Sequence, residues 1–63
     1  MDATELRELQ VGDQFVHEGF PTLVLTCLDK DNRNELVEAS RADGWRGTIT
    51  YTMIRQKYMK LED

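Results

Sequence analysis

The sequence predicts an all-β fold, a small barrel of about five antiparallel strands preceded by one helical turn. Two observations carry that prediction. Short apolar runs recur at hairpin spacing, and clusters of Gly, Asp, Asn and Pro punctuate them: Val11-Gly12-Asp13, Gly19-Phe20-Pro21, Asp29 to Asn34, and Ala42-Asp43-Gly44. A chain of 63 residues, 40% of them hydrophobic, also has room for only one core, so the reading is a single domain over residues 1–63.

Each element follows from its local pattern. Thr4 is read as the N-cap of an opening turn that places Leu6 and Leu9 on one face. Gln14 to Glu18 is extended. Thr22 to Leu28 has apolar residues at both parities, the mark of a central strand buried on both faces or bent round a barrel. Asp29 to Asn34 is then an exposed hairpin loop, Glu35 to Arg41 a half-exposed strand, and Asp43-Gly44 a hairpin turn. From Trp45 onward the odd positions 45, 47, 49, 51 and 53 form a core face, opposite a face of Arg46, Thr48, Thr50 and Thr52. The end reads as a helical turn near residues 53–57 and a closing strand over 58–61. The predicted core is Leu6, Leu9, Phe15, Leu23, Val24, Leu25, Cys27, Val37, Trp45, Ile49, Tyr51, Ile54 and Leu61.

Leu9-Gln10-Val11-Gly12-Asp13-Gln14-Phe15, followed by Gly19 and a long apolar strand, resembles the opening of SH3-like barrels, including KOW-type and Tudor-like modules. The resemblance implies a fold and no activity. Its motif covers only this opening, although the strand rhythm extends over most of the chain. The sequence departs from KOW modules in its acidity and in lacking a glycine- and lysine-rich loop. It also lacks the aromatic cluster of a methyl-lysine cage. In style, the chain is also similar to very small acidic proteins of phages and mobile elements.

Composition narrows the function. Twelve acidic and eight basic side chains leave a net charge of −4, which opposes sequence-independent binding to phosphate backbones. A lone cysteine, Cys27, forms no intramolecular disulfide, which favours a reducing, cytoplasmic setting. Neither a signal peptide nor an apolar run long enough for a membrane span is read, and the initial Met suggests a complete small gene product. Residues 29 to 35 superficially resemble a calcium loop. Arg33, Asn34 and Ser40 stand where an EF-hand needs an oxygen ligand, a glycine and a bidentate Glu, so a solvated hairpin is the better reading. His17 and Cys27 are too few for a closed zinc site; His17 is read as a rim residue and Cys27 as a small core residue. No phosphate loop or nucleophile triad is found. The chain is therefore read as non-enzymatic, with no cofactor and no metal.

Charge is segregated along the chain. Residues 1 to 38 hold nine acids and three bases, and residues 39 to 63 hold five bases and three acids. Two surfaces follow. An acidic hairpin of Asp29, Asp31, Glu35 and Glu38 suits a basic surface on a larger protein, making the chain an interaction module such as an inhibitor or adaptor, with edge-strand pairing as a second means of docking. The alternative is a nucleic-acid face of Arg46, Thr48, Thr50, Arg55, Lys57 and Tyr58, suited to single strands by stacking and phosphate contacts. A further alternative is a structural homo-oligomer built through an exposed edge.

Overall fold

The structure, a computed structural model, describes residues 1–61. Two short helices and five strands follow along the chain as α1 (Ala3–Glu8), β1 (Gln14–His17), β2 (Phe20–Asp31), β3 (Leu36–Ser40), β4 (Arg46–Thr50), α2 (Tyr51–Lys57) and β5 (Tyr58–Lys60). All neighbouring strands pair antiparallel in one sheet of order β4-β3-β2-β1-β5. The expected all-β, SH3-like closed barrel is thereby corrected to a mixed α/β fold with an open sheet. Among the described residues no ladder joins β4 to β5, and the chain between them is taken up by α2.

Both helices are too short to persist alone and depend on tertiary support. Asp2, rather than Thr4, caps α1: its carboxylate accepts from the Glu5 N–H at 2.8 Å, and Glu5 reaches back to the Asp2 N–H. Thr50 caps α2 by accepting from the Met53 N–H at 3.2 Å. Leu6 and Ile54 are the buried residues of the two helices, and they join one cluster with Met1, Leu9, Phe15, Leu25, Cys27, Val37, Ala39 and Tyr58. The helices therefore lie against the sheet face that carries Phe15, Leu25 and Val37. The other face remains bare.

A bulge sets which side chains reach which face. Cys27 pairs with Ala39 but Asp29 pairs with Glu38, so Leu28 is an extra residue in β2. From Leu23 to Cys27 the odd positions of β2 point into the core; beyond the bulge Asp29 and Asp31 turn to the bare face and Lys30 turns inward. Lys30 then donates from Nζ to the carbonyls of Leu6 and Arg7 at 2.7 and 2.9 Å. Those carbonyls lie in the last turn of α1, where a cation is favourable, and the Leu6 carbonyl also accepts from the Leu9 N–H at 3.3 Å.

The predicted core is confirmed at Leu6, Leu9, Phe15, Leu25, Cys27, Val37 and Ile54, and Leu23, Ile49 and Tyr51 pack against it partly buried. Val24 is half-buried and pairs with Val16 on the bare face. Trp45 and Leu61 depart from the expectation, at 40% and 38% exposure. Trp45 precedes β4, and its ring lies over Gly47, where a Cβ would stand 2.6 Å from the indole. Tyr58 and Met1 join the core instead. Phe15 and Tyr58 meet edge to face at 5.4 Å, and the Met1 amino group donates to the Tyr58 carbonyl.

Phe15→Ala should cost about 3–5 kcal/mol, the range for emptying a buried aromatic site. That is comparable with the whole stability of so small a domain. Urea titration should find Phe15→Ala largely unfolded and Trp45→Ala folded, with a loss of about 1 kcal/mol or less. Equal losses would place Trp45 in the core after all.

Candidate functional site

Parts of the two surfaces expected from the sequence share one face of the sheet. Cross-strand partners point to the same side of a sheet, so Asp29, Glu38 and Thr48 share the bare face, as do Asp31, Leu36 and Thr50, and Ser40 and Arg46. Acidic and basic candidates meet there directly. Arg46 pairs with Glu38, its Nη2 lying 2.9 Å and its Nε 3.0 Å from one carboxylate oxygen.

The remaining acidic residues serve different purposes. Asp31 accepts from the Arg33 and Asn34 N–H groups at 3.1 Å each and from the Asn34 side chain at 2.7 Å. It folds the β2–β3 turn, and the Asn34 side chain chiefly, with the turn N–H groups, holds its carboxyl below the ordinary carboxylate range. Asp29 accepts from the Lys30 N–H at 2.8 Å. Glu35 has a φ of 56°, the left-handed conformation, and its carbonyl accepts from the Tyr51 N–H at 2.9 Å.

The expected nucleic-acid face is divided. Arg46, Thr48 and Thr50 line the bare face, whereas Arg55 and Lys57 are exposed on α2, which packs on the other side. Tyr58 is buried, 7% exposed, so its ring offers no stacking platform. Thr50 is engaged as the α2 cap.

The hydrogen-bond parity of β4 identifies a feature that composition does not reveal. Tyr51 N–H bonds Glu35, and Arg41 N–H bonds the Trp45 carbonyl, so the pairs 35–51 and 41–45 are hydrogen-bonded pairs of this ladder. Such pairs alternate with non-bonded ones. Gly47 and Ile49 therefore turn their backbone groups toward β3, and Arg46 and Thr48 turn theirs away from the sheet. On β5 the same alternation, fixed by the Leu61 N–H to Gln14 carbonyl bond, turns Tyr58 and Lys60 outward. The groups of Tyr58 are already taken, its N–H by Ile54 and its carbonyl by Met1. Of the two outermost strands, β4 presents the longer open edge among the described residues.

A cation–aromatic pair flanks the start of that edge. The Arg41 guanidinium lies 5.4 Å from the Trp45 ring centroid and is held by Asp43 at 2.9 Å. Leu23, Leu25, Arg41, Trp45 and Tyr58 enclose a concavity of about 200 Å³. The signal available in the sequence was the Arg41–Trp45 spacing across an Asp-Gly turn, which brings both side chains to one hairpin end.

Neither soft ligand reaches a cluster. His17 is half-buried against Tyr58 and Phe20, and its Nδ1 accepts from the Gly19 N–H at 3.0 Å. Cys27 is fully buried, and burial pushes its thiol pKa up. Among the described residues no group of three or more His, Cys, Asp and Glu is placed to hold a metal ion, and no helix is long and apolar enough to cross a membrane. No protein-family model, curated protein or solved structure matches the chain.

Two outcomes test this geometry. The depressed Asp31 carboxyl stabilises the fold above the unfolded carboxylate pKa of about 4, and that contribution disappears as pH falls through the lower folded value. Asp31→Asn, which keeps an acceptor without charge, should be less stable than the native chain at neutral pH and converge with it in acid, as read by urea midpoints. A pH-independent difference would deny the carboxylate its role. Cys27 should resist alkylation in the native chain and react on addition of denaturant; rapid native labelling would contradict its burial.

Proposed function

We propose that the chain is a non-enzymatic protein-interaction module that receives an extended segment of a larger protein along β4. The observation that carries this reading is the open edge: Arg46 and Thr48 direct unpaired backbone groups outward on a strand with no Pro and no Lys. Strand addition needs such a row, and the β-branched Thr48, Ile49 and Thr50 keep the strand extended.

The surroundings favour a particular docking mode. Trp45 and Arg41, residue types that supply much of the binding energy at interfaces, stand at the beginning of the edge. Asp29 and Asp31 lie on the adjoining face, so a basic segment is favoured and its association weakens with salt. The nucleic-acid alternative has less support, because Arg46 is neutralised by Glu38 and Tyr58 is withdrawn into the core.

Thr48→Pro separates edge pairing from side-chain contact. The Thr48 N–H makes no bond within the sheet, so proline there removes an outward donor and leaves the β3 ladder intact. Capture from nuclease-treated lysate should yield a protein partner with the native chain and lose it with Thr48→Pro, while circular dichroism reports a folded variant. Retention by the folded variant would reject strand addition. Sedimentation of the native chain alone provides a second check, since a concentration-dependent dimer blocked by Thr48→Pro would reassign the edge to self-association.

A further inference from the structure

Of the eight basic side chains, two are paired with carboxylates at the β3–β4 hairpin and a third, Lys30, is bound to α1 carbonyls. Among the described residues no ion pair involves Arg7, Arg33 or Arg55. These three come from α1, the β2–β3 turn and α2, yet they line a single cleft of about 450 Å³. Its size falls in the range of small-molecule sites. Three guanidiniums on one cleft are unexpected in a chain of net charge −4, where carboxylates are available to disperse them.

The cleft has fixed walls as well as charge. Leu6 and the half-buried Tyr51 supply its apolar side, and the Tyr51 hydroxyl donates to the Asn32 side chain, tying α2 to the β2–β3 turn. Lys30 holds the carbonyls of Leu6 and Arg7, which fixes the α1 end from which Arg7 projects. The turn bearing Arg33 is held by Asp31, whose carboxylate accepts from the Arg33 and Asn34 N–H groups. Among the described residues Glu35 is the only acid on the cleft wall, and it partly offsets the three cations.

We propose that this cleft binds a phosphate monoester dianion carried on a small organic group. A carboxylate satisfies one guanidinium fork, whereas the three terminal oxygens of a phosphate accept from more than one Arg at once. The apolar wall of Leu6 and Tyr51 receives the organic part. The site adjoins the Thr50 end of β4 through Tyr51, but no residue of that strand lines it, and it does not depend on strand addition.

The test is a proton–nitrogen NMR titration of the full chain at pH 7.5 and constant ionic strength. Probes are phenyl phosphate, phosphotyrosine and adenosine monophosphate, with sodium chloride and benzoate as controls. The phosphates should give saturable shifts at Arg7, Asn32, Arg33, Tyr51 and Arg55. Arg33→Ala and Arg55→Ala should each weaken binding roughly ten-fold while keeping the native spectrum, as expected for one charged hydrogen-bonding group. Glu35→Gln should tighten it, and Lys57→Ala should leave it unchanged. Preference for phosphotyrosine over adenosine monophosphate, or the reverse, identifies the organic group and supports the site either way. Shifts that fail to saturate, that chloride or benzoate reproduces, or that survive both Arg substitutions would overturn the proposal.

Discussion

The single extra residue at Leu28 determines how the molecule divides its inside from its outside. Without that bulge the alternation that buries Leu25 and Cys27 would carry Asp29 and Asp31 onto the same face, under the helices, where unpaired carboxylates are costly. With it, the carboxylates face solvent and Lys30 turns inward to the end of α1. One irregularity in the ladder thus exposes the acids of the hairpin, ends α1 with a cation, and fixes the Arg7 side of the cleft. The local structure of β2 and the tertiary placement of α1 are one feature viewed at two scales.

The second constraint is the different treatment of the two sheet edges. β5 is short, and the chain's own N-terminus and α2 satisfy the outward groups of Tyr58. Among the described residues β4 has no such cover. Open edges are usually blunted by proline, lysine or a covering segment, and the lack of these on Arg46 to Thr50 is the reason the proposed docking is assigned there. Charge adds less than the sequence suggested. Segregation along the chain does not survive folding, because the β3–β4 hairpin brings Glu38 against Arg46.

Much of this was legible in the sequence where patterns are local. The extended segment from Gln14, the odd-even alternation of residues 46 to 50, and the turn of helix before a last strand follow from residue types at fixed spacing, and all are present. Barrel closure was not legible, because it depends on whether two distant edges meet, and α2 occupies the chain that would have joined them. Trp45 was assigned to the core by size and parity, but it stands one residue before β4 and spreads over the side-chain-free Gly47. The burial of Met1 and Tyr58 depends on the N-terminus folding back to β5, a contact spanning nearly the whole chain. Of the site, the acidic residues do flank the β2–β3 turn, but the loop expected over Asp29 to Asn34 is strand as far as Asp31, the bulge that sets their face has no clear mark in the sequence, and the three-arginine cleft joins positions far apart in the chain.

The most direct test of the account is amide hydrogen exchange along β4 at low protein concentration. Gly47 and Ile49, whose backbone groups face β3, should be protected, while Arg46 and Thr48 between them should exchange near the rate of free peptide. That alternation is the signature of an open edge. Uniform protection from Arg46 to Ile49, persisting on dilution, would mean that the edge is closed within the monomer, and both the open sheet and the docking role assigned to it would be wrong.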